Sequence, residues 1–422
     1  MITKVDQWLQ PLFLLTMLAS WDRSLSYTSS SNPIKSRRNN VESKSSAERD
    51  SLSRRRGPSA LPERSTQHLS PLSPPFPNGQ CGGTVITLPA EEMYSTKGDG
   101  LLSVLSLPAT VSNFMLTPRD ISVWLPKEYD FVEFKRVDFP VLYCHDGQNA
   151  YEDSSSWTGS SWRMIGALTR LYERDMIEIP PIVVMIPSAD GDIMPGLRRR
   201  HAEYGDMTLP FSQAHGEFVA EKLHPYVKNR FRVKDGPENV SAIGSSLGGQ
   251  ASLQLVLRYP ETFGGVACMS PCFQVGTIAS VMANVVNGGF DTNSTGENLR
   301  DLSVILSKAS NLYSSKEKLR NNHKSLHSKT IYIDNGGDRD ESKVPFFDVM
   351  DHFTMNDKWW NPGYFWLDTQ LQPTIDAVRW ALDRGGVEYW YEKFPGARHN
   401  ERAWAQRIHS PLLTLYGKTR QP

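Results

Sequence analysis

Gly244-Ser245-Ser246-Leu247-Gly248 has the G-x-S-x-G spacing. Chemistry at such a serine needs a strand-to-helix turn so tight that bulky neighbours would clash. Glycines on either side relieve that crowding, and the hydroxyl is presented at the helix N-terminus. The preceding VSAI (240–243) reads as a buried strand and the following GQASLQLVLRYP (249–260) as a helix, which is the context the motif requires. Ser246 is therefore the candidate nucleophile, with Ser245 a packing or hydrogen-bonding neighbour. A nucleotide-binding turn would show G-x-G-x-x-G or a P-loop lysine, and neither follows these strands.

A serine nucleophile needs a base, and in this arrangement the chain order is serine, acid, histidine. The histidines after Ser246 are His323, His327, His352, His399 and His409. His399 alone stands just past a strong terminal strand, in the glycine-bearing loop PGARHNE (395–401), where it can reach back to the nucleophile. His323 and His327 lie in a polar, Lys-rich segment and read as solvated.

The acid, which holds the imidazole tautomer and stabilises the imidazolium, should follow the strand TIYIDNGG (330–337). Asp334 reads as part of that strand. Asp338 comes first among the candidates, with Asp340 and Asp368 as alternatives. An oxyanion needs two backbone N–H donors, each contributing on the order of 3 kcal/mol in the transition state. One is expected from Leu247 and the other from the junction HDGQN (145–149), where Gly147 permits close backbone approach. His145 reads as a loop-shaping residue.

The elements that must position these groups alternate along the chain. GGTVITL (82–88), DISVWLP (120–126), DFPVLYCHDG (138–147), PPIVVMIPS (180–188), the strand before Ser246, GGVACMSP (264–271), TIYIDNGG and VEYWYEKFPG (387–396) read as strands. Helical spacing is found at 161–175, 211–231, after Ser246 and near 373–384. Strands alternating with helices predict an α/β fold with a mostly parallel central sheet flanked by helices.

Composition bounds the alternatives. The chain has 422 residues, with 46 Lys+Arg against 46 Asp+Glu, which disfavours a nucleic-acid binder acting through a general basic surface. Its four cysteines are too few for a disulfide scaffold and lack C-x-x-C spacing for zinc. No run of about 18 apolar residues is present, so a multi-span membrane protein is not expected. Residues 8–21 form an apolar stretch short enough for a signal-peptide core, so residues 1–21 are read as a possible leader to the secretory pathway or an organelle, with a cytoplasmic chain as the alternative. Serine supplies 15 of the 59 residues from 22 to 80, with 10 Lys or Arg against 5 Asp or Glu. That composition reads as a disordered or transit-like linker before a folded body at 81–422.

FPVLYCHDGQNAYED (139–153), RHAEY (200–204), VSAIGSSLGGQASLQLVLRYPETFGGVACMSP (240–271) and GARHNERAW (396–404) together resemble the putative-esterase family of the α/β-hydrolases, over most of residues 82–418. The resemblance implies an α/β-hydrolase fold and a serine hydrolase that cleaves an ester or thioester through an acyl-enzyme, with no metal or organic cofactor and a small-molecule ester as substrate. It implies Ser246 and His399 as catalytic, Asp146 or Gln148 near the oxyanion, and Arg200, Glu203 and Tyr204 as a structural or pocket element. Acyl transfer to a sugar or lipid hydroxyl, or a catalytically silent binding module on the same scaffold, are the alternative readings.

The chain departs from the family pattern at 275–328, which is longer and more polar, and at an insertion over 341–366. Eight of the 21 residues from 346 to 366 are aromatic, Trp359 and Trp360 among them. They read either as a cap over the site or as extra core packed on the sheet. The insertion falls beside the expected acid, and LDTQLQP (367–373) keeps Asp368 in contention. Asn239 and Asn293 head N-x-S/T sequons, Asn239 just before a buried strand.

Overall fold

The computed structural model describes residues 82–93, 116–156, 158–194, 197–286, 326–337, 362–395 and 397–418. The segments expected to be a leader and a linker, Asn293, His323, His352, Asp338, Asp340, Trp359 and Trp360 lie outside the described residues, as does the side chain of Asp368. Contacts divide the chain into one unit of 1–67 with 194–197 and another of 68–193 with 198–422. Of the first, only Met194 and Leu197 are described, both as extended backbone. The second unit holds the central sheet.

Eight strands build that sheet: β1 (Thr84–Leu88), β2 (Ile121–Leu125), β3 (Val141–His145), β4 (Ile182–Ile186), β5 (Val240–Ser245), β6 (Gly265–Met269), β7 (Thr330–Asn335) and β8 (Trp390–Lys393). Their spatial order is β1-β2-β4-β3-β5-β6-β7-β8. β2 runs antiparallel to both β1 and β4, and every other neighbouring pair is parallel. Strands β3 to β7 are buried almost throughout because both faces of a parallel sheet are covered by helices.

Side chains alternate between those faces. Leu142, Cys144, Ile243, Ala267, Met269 and Tyr332 point to one side, where they pack with α1 (Met164–Glu173), Trp404, Ile408 and the C-terminal helix α9 (His409–Tyr416). The interleaved residues face α5 (Leu247–Arg258): Cys268 on β6 meets the Gly249 carbonyl, and His145 meets Ser252. Eleven of the twelve α5 residues are buried. A helix so enclosed takes its position from the strand before it rather than from its own amphipathicity.

The expected segments fold largely as read. The 211–231 segment is one helical run with a change of pitch: α3 (Pro210–Glu217), a π-helical stretch at Phe218–Leu223, then α4 (His224–Arg230). α6 (Val275–Val286) follows β6, and the expected helix near 373–384 is longer, α7 (Pro362–Gly385), so the last residues of the aromatic insertion are helical backbone. Two short helices flank the site, α2 (Arg199–Glu203) before α3 and α8 (Glu401–Arg407) after His399, and a further one-turn helix spans Ala90–Met93. Among the described residues no helix is long and apolar enough to cross a membrane.

The turn from β5 into α5 is the tightest place in this frame. A Cβ on Gly244 would overlap the carbonyl carbon and oxygen of Gly248, so strand and helix backbones touch there directly. Gly244→Ala must push α5 away from β5. We expect a loss of at least about 1–3 kcal/mol, read as a lower urea midpoint, together with loss of any Ser246-dependent activity. An unchanged midpoint would contradict this packing.

Candidate functional site

The parallel strands end in register: Ser245 pairs with Met269, and Met269 with Asp334. The residues that follow each strand therefore gather along one edge. Ser246 is the first residue past β5, with φ 55° and ψ −126°. This is a strained conformation for a residue with a Cβ, of the kind that persists only where the surroundings enforce it. Here the Ser246 N–H donates to the Met269 carbonyl, and its own carbonyl accepts from Gly249 and Cys272. Both backbone polar groups are held, and the side chain is only half-buried. Leu247 opens α5, so its N–H is one of those an α-helix leaves without an intrahelical acceptor.

The second side of the site follows β3. Asp146 is in the left-handed region (φ 54°), and Gly147–Asn149 form a 3-10 turn. The Asp146 carboxylate takes a two-pronged bond from Arg200 on α2, at 2.7 Å to each oxygen. Its N–H donates to the Tyr204 hydroxyl at 3.4 Å. Gly147 packs against the backbone of Met185 and Ile186, where any side chain would overlap β4. The Gln148 side chain is tied to Ser188, with Ser188 N–H donating to Oε1 and Nε2 donating to Ser188 Oγ.

The two sides touch. A Cβ on Gly248 would come within 2.8 Å of Asp146 Oδ2, so the second glycine of the motif makes room for the salt-bridged carboxylate. The charge of Arg200 is also felt by His399 and Glu401 in the C-terminal loop. Burial, joined by the positive charges of Arg407 and Arg200, holds the His399 imidazole down at about 3. Glu401, two residues on, is raised by burial and by Asp146, while its bond from the Thr158 hydroxyl and the charge of Arg200 oppose the rise. His399 is buried edge-on against the Trp404 ring, with centroids 5.0 Å apart. Gly337, which ends the described part of the β7 loop, donates its N–H to the Ala397 carbonyl at 2.6 Å.

The structure thus brings Ser246, Leu247, Asp146, Arg200 and His399 to one edge of the sheet. Of the structural or pocket reading of Arg200, Glu203 and Tyr204, burial favours the structural side for Glu203 and Tyr204. Glu203 is 1% exposed and paired with Arg119 at 2.6 Å, and Tyr204 is fully buried, so neither has surface left to meet a substrate. The Asp146 N–H is turned to the Tyr204 hydroxyl. Asp334 lies in β7 as expected, fully buried. Its carboxylate receives Arg407 Nε, the Ser270 N–H and the Tyr332 hydroxyl. His327 is exposed against the Gly385 carbonyl, and His409 begins α9, so neither competes with His399. Asn239 donates its side-chain amide to the Asp235 carbonyl while Ser241 is buried, which makes that sequon a poor acceptor.

Sequence reasoning missed the polar layer behind the site. Arg119, His215, Ser252 and Arg407 are scattered singly along the chain, and no spacing marks them.

Strand order, the strained serine after β5 and a histidine loop after the last strand define an α/β-hydrolase. The chain belongs to the Putative esterase family, whose model matches residues 112–415. An uncharacterized Bacillus subtilis protein, YbbA, is 25% identical over 158 residues, which cover 36% of this chain and 56% of that relative. The chain therefore spans just over half the length of this curated relative. Among solved structures, a ferulic acid esterase from Anaeromyces mucronatus is 15% identical with a TM-score of 0.43, covering 78% of this chain and 90% of its own. The enterobactin esterase of Shigella flexneri is 15% identical with a TM-score of 0.41, covering 80% of this chain and 60% of its own.

The buried charges can be tested in two ways. Arg407 and Asp334 are both nearly inaccessible. Arg407→Met leaves the carboxylate alone and should cost about 3–5 kcal/mol of stability. Adding Asp334→Asn should restore part of that in a denaturation cycle. The second test concerns acid. His145 is held at about 4, His399 at about 3, and His215 well below its usual value of 6.5, in each case mainly by burial. Unfolding lets these rings take protons below about pH 6.5, whereas the folded chain keeps them neutral. Their contribution is complete above pH 6.5 and is lost as pH falls, at up to about 1.4 kcal/mol per pH unit for each histidine. Urea midpoints at pH 7, 6 and 5 should descend in that order; a flat series would contradict neutral burial.

Proposed function

We propose that the chain is a serine hydrolase of carboxylic esters or thioesters working through a Ser246–His399–Asp338 triad. The observation that carries this reading is the strained Ser246, fixed at the carboxyl end of β5 in a chain of the Putative esterase family. Ser246 Oγ attacks the carbonyl carbon while its proton passes to His399. The tetrahedral intermediate collapses, the bond to the leaving oxygen or sulfur breaks, and His399 returns the proton to that atom. Water then repeats the sequence on the acyl-enzyme and releases the acid.

The electrostatics say what each partner must supply. A neutral imidazole is the form able to accept a proton, and burial keeps His399 neutral. The imidazolium that results is opposed by Arg407 and Arg200, so a carboxylate must offset them. Asp338 is favoured for that task over Asp340 and Asp368 because it is the next residue after Gly337, whose N–H is bonded to Ala397 in the loop that carries His399. For the oxyanion, Leu247 N–H supplies one donor. With Asp146 N–H turned to Tyr204, Gly147 and Gln148 remain as sources of the other.

Steady-state hydrolysis of p-nitrophenyl butyrate and of an acyl thioester tests the reading. Ser246→Ala should lower kcat by about 10⁴-fold or more, and Asp338→Asn by about 10⁴-fold with the fold intact. Turnover that survives Ser246→Ala would mean another nucleophile. Full activity in Asp338→Asn would move the acid elsewhere.

A further inference from the structure

Behind the two sides of the oxyanion site lies a layer of buried polar side chains that the triad does not use. His145 ends β3 and immediately precedes the Asp146–Gln148 turn. Its ring reaches across to α5, with Nδ1 2.8 Å from Ser252 Oγ, and its Nε2 lies 3.0 Å from Nε2 of His215 on α3. Ser252 Oγ in turn donates to the Gly248 carbonyl at 2.9 Å. All three side chains are at most 2% exposed.

Proton counting orders this chain. A carbonyl can only accept and a hydroxyl has one proton, so Ser252 donates to Gly248. His145 Nδ1–H must then donate to Ser252 Oγ. His145 Nε2 is left as an acceptor and takes the proton on His215 Nε2. His215 Nδ1 becomes a bare lone pair, and it has no hydrogen-bond partner, 3.8 Å from the Glu203 carboxylate. Every contact is satisfied with both rings neutral. The chain ends on a backbone carbonyl rather than on the Ser246 hydroxyl, so it delivers no proton to the nucleophile.

What it joins is the beginning of α5 to the end of β3. Tyr204 makes a second tie between the same two parts. Its hydroxyl accepts the Asp146 N–H, its carbonyl accepts from Gln250 Nε2 on α5, and its ring stands edge-on to His145 at 5.1 Å. We propose that His145 is a positioning residue: through Ser252 it braces the first turn of α5 against the β3 turn and so sets the spacing between the Leu247 N–H and the donor at Gly147 or Gln148. This rests on the Ser246 reading above. A brace of this kind matters only when the oxyanion forms, because donors must meet the charge that develops in the transition state rather than the ground-state carbonyl.

The test is hydrolysis of p-nitrophenyl butyrate by the full chain and by Ser252→Ala, His145→Leu and the double variant, with thermal unfolding followed alongside. We expect Ser252→Ala to lower kcat about 10- to 100-fold, the scale of a misplaced catalytic group, with KM changed less than about two-fold. The double variant should be no worse than His145→Leu by more than about three-fold, because one strut can be broken only once. Should His145→Leu fail to fold, Ser252→Ala, which removes a single oxygen, decides alone. A Ser252→Ala kcat within about two-fold of wild type, a rise in KM at constant kcat, or a loss of kcat in step with the folded fraction overturns the brace. Wild-type turnover that is abolished by Ser246→Ala but indifferent to Ser252→Ala sinks the brace alone. Wild-type turnover indifferent to Ser246→Ala sinks the triad reading first.

Discussion

The contact between the backbones of Gly244 and Gly248 is the constraint on which the rest depends. With no side chain at either position, β5 can reverse into α5 within a single residue, and that residue is Ser246. The strain in its backbone is held by the Met269 carbonyl on one side and by Cys272 and Gly249 on the other. β6 thereby helps to hold the serine as well as flanking its strand. The same absence of a side chain at Gly248 admits the Asp146 carboxylate, so the nucleophile turn and the β3 turn can lie against each other.

Two buried ion pairs flank this contact, and each joins separate parts of the chain. Asp146–Arg200 ties the β3 turn to α2, and Asp334–Arg407 ties the end of β7 to α8. Pairs of this kind add little net stability compared with apolar packing, but breaking one is costly, which makes them good at specifying a single arrangement. Both guanidiniums also act on His399, and both oppose its protonation. Together with burial they keep the imidazole neutral, the form that the proposed base requires, and the proposed carboxylate is what would stabilise its charged form.

Much of this was legible in the sequence, for physical reasons that differ by element. The central strands were readable because fully buried parallel strands must be almost wholly apolar, as IVVMI at 182–186 is. Ser246 was readable because a turn this tight tolerates so few residue types around it. His399 followed from chain order and the glycine-bearing loop. Arg119, His215 and Ser252 were invisible because a buried polar layer is assembled from residues far apart in sequence, each ordinary in its own segment. Glu203 and Tyr204 were noticed as part of RHAEY, yet whether such residues line a pocket or fill the interior depends on what packs over them. The pitch change at Phe218–Leu223 was hidden because a single π-helical turn inside an α-helix is too short to shift the apolar spacing of the whole run.

The central claim is that Ser246 is the one hydroxyl this fold activates. Labelling the folded chain with a fluorophosphonate and locating the adduct by peptide mass spectrometry tests it most directly. The account predicts a single stoichiometric adduct on the peptide carrying Gly244–Gly248, at Ser246, which disappears when the chain is unfolded before labelling. An adduct at Ser245 or on any other peptide, or equal labelling of the unfolded chain, would contradict it.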